Sequence, residues 1–342
     1  MTDRLPEAFR TQAKACGELG SPFMQRLMNL LADRLQPDRP VTRKMFNWPG
    51  DLGPSGESLP LRVGSALHAL ALLERCGMQD VFPPHEQDDE TLWGAVEWAL
   101  TDEAAFISTW IDSPPQTNEV RRSAALIAAG QWITERYKLP LVLREIGSSA
   151  GLNLHFDRYG LEVGDKVFGN PDSPVVFTPD WTGNPPPAAD IEVVDRQGID
   201  LMPIDPRSPV DATRLLSYLW ADQNYRMELT RSAITLCDTP VLQGDAVEWL
   251  DSLSLTQGAM TMIYSTVAWQ YLSGPQQERG RAAIETLGKA ATKKAPLAWF
   301  RMENDGSGKG AALTLRLWPG DLSLKMGRAD FHGRWINWKA PE

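Results

Sequence analysis

Cysteine and histidine are scarce in this chain: three of one and four of the other in 342 residues. Cys16, Cys76 and Cys237 are odd in number and far apart, which argues against a disulfide framework and against a zinc site. His68 and His85 stand isolated, the acidic run from Glu86 to Glu90 reads as a solvated loop, and no His/Cys/Asp/Glu spacing suggests a metal. No apolar run reaches membrane-spanning length, so no membrane partner is expected. Lys/Arg tracts are missing too, and the formal net charge is −10. The chain thus has no general attraction for phosphate backbones, and nucleic acid is not expected as a partner. The opening MTDRLPEAFRTQAK lacks the basic-then-apolar layout of a signal peptide, so the expectation is a cytoplasmic protein.

Tryptophan, by contrast, is plentiful, with 13 residues for core packing or pocket walls. Residues 1–138 read as a helical region. FRTQAKACGELGSPFMQRLMNLLADRL is apolar at helical spacing, with Ser21-Pro22 starting its second half. LRVGSALHALALLERCG is expected to end at Gly77, and TLWGAVEWALTDEAAFISTWI at Ser113-Pro114-Pro115. A fourth helix runs from about Asn118 through Tyr137. From Leu141 the pattern changes: LVLREI, IEVVDRQGID, TPVLQGD, MTMIYST and APLAWFRME read as strands with helical stretches between most of them. That alternation argues for an α/β fold with a mostly parallel sheet over 139–342. Residues 160–190, rich in Gly, Pro and β-formers, read as an inserted hairpin. The two strand-like runs around Pro319-Gly320 read as a closing hairpin that adds one antiparallel strand at the sheet edge.

The most informative stretch is LVLREIGSSAGLNLHFDRY, Leu141 to Tyr159. A buried-type strand ends in an acid, breaks into a glycine turn and reopens as a helix-like segment. That is how a chain builds a ligand cradle at the carboxyl edge of a parallel strand. Gly147 and Gly151 permit a tight turn, and the following helix start would offer unpaired N–H groups. The same residues have a plain structural reading, in which the glycines only shape a turn. His155 reads as packing.

LREIGSSAG resembles the first motif of class I S-adenosylmethionine-dependent methyltransferases, with Ser149 where the middle glycine is expected. GIDLMP, LQGDAVEWL and IYST follow in the order of that family's later motifs. The resemblance covers roughly Leu139 to Trp338 and implies a Rossmann-like methyltransferase sheet with S-adenosylmethionine as cofactor. It implies that Glu145, Gly147, Ser149 and Gly151 face the methionine moiety and that Asp200 grips the ribose, with Asp195 as the alternative. Asp245 and Ala246 would lie near the adenine, and Tyr264 and Ser265 beside the transferable methyl. A small-molecule substrate is expected, or else a protein side chain. Asn184-Pro185-Pro186-Pro187 lies before the second strand and reads as a loop, so the signature for methylating a base exocyclic amine is missing. QTNEVRRSA, EIGSSAGLNL, DRY and GIDLMPID together resemble a bacterial domain-of-unknown-function family, number 2332, across nearly the whole chain. That family pattern includes Asn118, Glu119, Arg121 and Arg122, which would cap the cleft and meet the substrate.

Trp269 and Tyr271, after the fourth strand, are candidates for a pocket wall, and His332 for a general base. Two other readings stay open. Gly147-Ser148-Ser149-Ala150-Gly151 satisfies G-x-S-x-G, with His332 and Asp245 or Asp305 elsewhere, as a serine hydrolase would need. Against it, the half before the turn is helical and no HGGG-like segment occurs. The remaining reading is a non-catalytic, methyltransferase-like ligand-binding or interaction protein.

Overall fold

The computed structural model describes residues 4–54 and 56–341. The chain forms two compact units, residues 1–117 with 208–231, and residues 118–207 with 232–342. The first begins with α1 (Arg4–Glu18) and α2 (Pro22–Arg34). The break between them is where expected, because the Ser21 hydroxyl accepts from the Met24 N–H and Pro22 opens the helix. α3 (Pro40–Phe46) and α4 (Leu59–Leu72) follow, then α5 (Asp89–Asp102) and α6 (Ala104–Trp110). α4 is apolar nearly all round and ends at Leu72, not at Gly77. The single helix expected over Thr91–Ile111 is two, divided at Glu103. Leu27, Leu31, Leu59, Leu67, Val96 and Ile107 are among the fully buried residues of this unit's core.

The second unit begins before the expected boundary at 138, because α7 (Ser123–Tyr137) packs within it. Twelve of its residues are buried, and the Gly130 gap is filled by Phe156 and Ile191. β1 (Leu141–Ile146) is the first strand among the described residues. β2 (Gly160–Val163) and β3 (Lys166–Gly169) form the expected inserted hairpin. The insert goes further: β4 (Val176–Phe177) joins β2 in a small sheet, and β5 (Asp180–Thr182) enters the main one. After β6 (Val193–Asp200) the chain returns to the first unit with α8 (Pro209–Ser217), whose Leu215 and Leu216 are buried. α9 (Asn224–Leu236) begins in the first unit and ends in the second.

β7 (Leu242–Gln243), α10 (Ala246–Ser252), β8 (Met260–Thr266), α11 (Gly274–Lys289) and β9 (Leu297–Glu303) complete the alternating part. β10 (Ala311–Trp318), β11 (Leu322–Ala329) and β12 (Trp335–Trp338) close the chain. The main sheet has the order β5-β12-β11-β10-β9-β8-β1-β6-β7. β7, β6, β1, β8 and β9 are parallel, as expected for βαβ units. The expected single antiparallel edge strand is replaced by a meander: β10 pairs antiparallel with β9 and β11, and β12 antiparallel with β11. β5, parallel to β12, forms the true edge. The hairpin therefore sits inside the sheet, because the Trp335–Trp338 run adds a further strand. One face of the parallel part is sealed by an apolar cluster of Ile146, Ile263, Leu250, Ile284, Trp269 and Trp299. Among the described residues no helix is long and apolar enough to cross a membrane, and no group of three or more His, Cys, Asp or Glu could hold a metal ion.

Candidate functional site

Strand order reverses at β1, which has β6 on one side and β8 on the other. Ligands of open α/β sheets bind outside the carboxyl ends of strands at such a point. Glu145 and Ile146 end β1, with Tyr264 and Ser265 of β8 directly opposite. Neighbours across a ladder share a face, so Glu145 and Tyr264 lie on one side and Ser265 on the other.

The turn after β1 is left-handed at three positions, Gly147 (φ +69°), Ser149 (φ +54°) and Gly151 (φ +76°). At Gly147 glycine is required, because an added Cβ would stand 2.5 Å from the Cβ of Ala268. The turn is closed by the protein itself. Gly147 and Ser148 donate to the Ile199 carbonyl (2.9 and 3.1 Å), Ser149 N–H to Asp200 Oδ2 (2.9 Å) and Gly151 to Ser148 (2.8 Å). Leu152 N–H goes to Asn118 Oδ1 (2.9 Å). Five N–H groups between Gly147 and Leu152 that were expected to be free are therefore already bonded. The expected helix is also different: Leu152–Arg158 is a 3₁₀ stretch, kinked where His155 leaves helical geometry. A bidentate Arg196–Asp157 pair, with Arg196 also bonded to the Leu154 carbonyl, fastens this stretch to β6.

What the edge leaves open is side-chain chemistry. Glu145 Oε2, Ser149 Oγ, Ser265 Oγ and Trp269 Nε1 are buried without a hydrogen-bond partner. Unmade bonds of this kind cost about 1–3 kcal/mol each. Glu145 is 1% exposed, and burial pushes its carboxyl well above the usual carboxylate range. The Ser148 hydroxyl and Arg122 act against that rise, and Asp200 adds to it. The Tyr264 ring is fully buried, edge-on to Phe156, and donates to the Asn153 carbonyl (3.3 Å). Burial, with Glu145 adding, holds its phenol protonated well beyond the ordinary range.

Asp200 stands at the end of β6, where Oδ1 takes the Met202 N–H (2.9 Å) and Oδ2 the Ser149 N–H. Asp195 lies near the other end of the strand, paired with Arg144 (2.6 Å). Gly244 N–H bonds the Asp200 carbonyl (3.0 Å), bringing the third acidic turn alongside. Asp245 caps α10 there, accepting from Val247 (2.7 Å) and Glu248 (3.1 Å), and Ala246 is the first helical residue.

The 118–122 segment reaches the same edge. Arg122 donates to the Thr266 carbonyl (3.0 Å) at the end of β8 and to the Phe331 carbonyl (2.9 Å) in the loop before β12. Glu119 is buried and accepts from Arg121. His332 follows Phe331, partly exposed, 4.0 Å from Asp330. Trp269 packs edge-on to Trp299 (5.2 Å), while Tyr271 is exposed. One residue escaped sequence reading. Glu303, the acid ending β9, is buried and accepts from Ala268, Trp269 and Gln270 N–H (3.1–3.3 Å). It thereby holds the loop that touches Gly147, just after the left-handed Val267 (φ +56°). An acid at a strand end was the available signal.

The family described as uncharacterized protein conserved in bacteria (DUF2332) matches residues 6–338. The chain belongs to DUF2332. The match covers both compact units, so the helical unit and the sheet unit are parts of one family pattern. No curated protein and no solved structure matches the chain.

Of the residues in the hydrolase reading, Ser149 Oγ has no hydrogen-bond partner, and Asp305 is bidentate with Arg328.

Proposed function

We propose that this DUF2332 chain binds S-adenosylmethionine at the carboxyl ends of β1, β6 and β7 and methylates a small molecule presented at the end of β8. One observation carries the reading: partnerless buried polar atoms of Glu145 and Ser149, and of Ser265 on the opposite face, lie at the adjoining strand ends where sheet order reverses. Buried polar groups are normally paired, and a cluster of exceptions at a ligand-binding position favours a ligand.

The residues present suit that cofactor. Glu145 and Ser149 would meet the amino acid end, with a protonated Glu145 able to donate a hydrogen bond. Asp200 would accept from the ribose hydroxyls. Asp245 and Ala246 would flank the adenine. When bound, the cofactor supplies a methyl group activated by a sulfonium. The chain's task is then positioning, which for a two-reactant displacement lowers the barrier by about 7–11 kcal/mol at best. Ser265 and Trp269 Nε1 offer polar contacts to an acceptor, and Arg122 fixes the carbonyl of Thr266 beside them.

A second reading, ligand binding without turnover, draws on Ser149 at the middle-glycine position and on the closed N–H groups of the turn. Calorimetric titration of S-adenosylhomocysteine into wild type and Asp200→Ala tests the site. Micromolar binding that falls in the variant supports it, and no binding to folded wild type overturns it. Binding without methyl transfer to any acceptor in a small-molecule screen would favour the second reading. Labelling of Ser149 by a fluorophosphonate would instead revive hydrolysis.

A further inference from the structure

One arginine of the main sheet lacks the partner that comparable arginines have. Arg144 pairs with Asp195, Arg196 with Asp157, and Arg316 with Glu285 and Asp321, each from a half-buried position. Arg301, half-buried on β9, has no carboxylate and no hydrogen-bond acceptor among the described residues. Its guanidinium lies over the Trp299 ring, 4.4 Å from the ring centre. Burial lowers its pKa, and the like charges of Arg281 and Arg316 act in the same direction. Glu303 attracts it, but that carboxylate is given to three loop N–H groups. A guanidinium stays charged under such pressure. The fold therefore holds a half-buried cation without a counter-ion.

The ladder register shows what stands beside it. Ser265 of β8, Arg301, Thr314 of β10 and Lys325 of β11 are successive partners, so they form one row on one face. Ser265 is buried, Arg301 and Thr314 are half-buried, and Lys325 is exposed. The row thus climbs from the core to open solvent. Arg301 and Lys325 are two strands apart, about 10 Å, with the Thr314 hydroxyl between them. Arg281, exposed on α11, adds a third positive charge from the helix side. Neither Arg281 nor Lys325 has an ion pair among the described residues. In a chain of formal net charge −10, this is a local surplus of the opposite sign. Three cations around a hydroxyl exceed what one carboxylate requires. They suit a dianion with several acceptor oxygens, two of which match the guanidinium fork.

We infer that this row binds a phosphate group, carried by a small phosphomonoester or present as free phosphate. Arg301 takes two of the oxygens, the Thr314 hydroxyl donates to a third, and Lys325 and Arg281 balance the remaining charge. The site does not depend on what binds at the carboxyl ends of β1, β6 and β7.

The test is calorimetric titration of sodium phosphate, glycerol 3-phosphate and sodium acetate, at constant ionic strength, into wild type, Arg301→Met and Lys325→Gln. Saturable binding of at least one of the phosphates is expected, and none of acetate. Tighter binding of the ester would make an organic phosphate the ligand, and tighter binding of the free anion would make it inorganic phosphate. Affinity should fall by at least about tenfold in Arg301→Met and several-fold in Lys325→Gln, whose position is exposed. Without phosphate, Arg301→Met should melt no lower than wild type, because it removes an uncompensated charge while keeping an apolar stem. Failure of both phosphates to bind folded wild type, equal affinity in Arg301→Met, or equal binding of acetate would each overturn the proposal. So would a marked fall in the melting temperature of Arg301→Met, since the guanidinium would then already have a partner in the fold.

Discussion

His68 and His155 are both buried, one in each compact unit, and they are held in different ways. His68 bonds through Nδ1 to two carbonyls, Ser217 (3.1 Å) and Leu219 (2.9 Å), and lies flat on Phe82. Burial lowers its pKa to about 4 despite those two bonds, so near neutrality it is an uncharged ring. Around it Ser65, Ser217 and Trp110 complete a closed network. His155 has an acceptor at each nitrogen, the Gly151 carbonyl and the Asp238 carboxylate. Burial lowers its pKa while Asp238 raises it. Desolvation raises the Asp238 carboxyl, but bonds from Arg158 and His155 outweigh it and hold the acid ionised. Around His68 the helical unit sets uncharged groups that bond one another. The sheet unit ties His155 to ionisable neighbours and, at one edge, leaves several buried polar atoms without a partner.

Acid should separate the units most strongly. Below the ordinary histidine pKa the unfolded chain takes a proton that folded His68 refuses. Its contribution is therefore complete above pH 6.5 and declines as the pH falls toward 4, by about 3 kcal/mol in all. His155 acts in the same direction but less, because Asp238 opposes its shift. Denaturant midpoints between pH 7 and 4 should fall less steeply in His68→Gln than in the parent; parallel slopes would remove the contrast.

Gly147→Ala probes the sheet unit's edge. Left-handed geometry and the Ala268 contact should cost about 2 kcal/mol and abolish S-adenosylhomocysteine binding. Near-native binding would show that the turn is only a connector. Asp200→Ala should weaken that binding by about tenfold to a hundredfold, the range for a hydrogen bond to a charged group. Glu145→Gln should have the smallest effect and the most telling sign. Because burial raises the folded carboxyl's pKa, ionisation opposes folding as the pH rises above the ordinary value. The amide should thus stabilise the chain at pH 8 by about 1 kcal/mol while weakening ligand binding. A loss of stability would mean that Glu145 has a partner worth more than its burial costs.

Much of the sheet was legible. β1, β8 and β9 are mostly apolar runs bounded by turn residues, and their limits fall almost where the pattern puts them. The acids at 145 and 200 were readable because each stands at the end of a strand-like run. What escaped depends on distant partners. α7 looks like its helical predecessors, and only its packing assigns it to the sheet unit. α8 follows β6 as a crossover helix would, and nothing local says that Ser217 and Leu219 will instead satisfy His68, about 150 residues earlier and in the same compact unit. The 3₁₀ geometry after Gly151 hides behind helical spacing, because Arg196 and Tyr264, far along the chain, set it. Glu303 was passed over since its three N–H partners lie in a loop some thirty residues earlier in the chain.

The nine-stranded sheet ends in β5, of three residues, and β7, of two. A long unpaired border would be a template on which other chains could add in register, the first step toward fibres. Borders this short give an incoming strand almost nothing to grip. The protein can therefore carry an extensive ladder while staying resistant to edge-to-edge aggregation during synthesis and at high concentration.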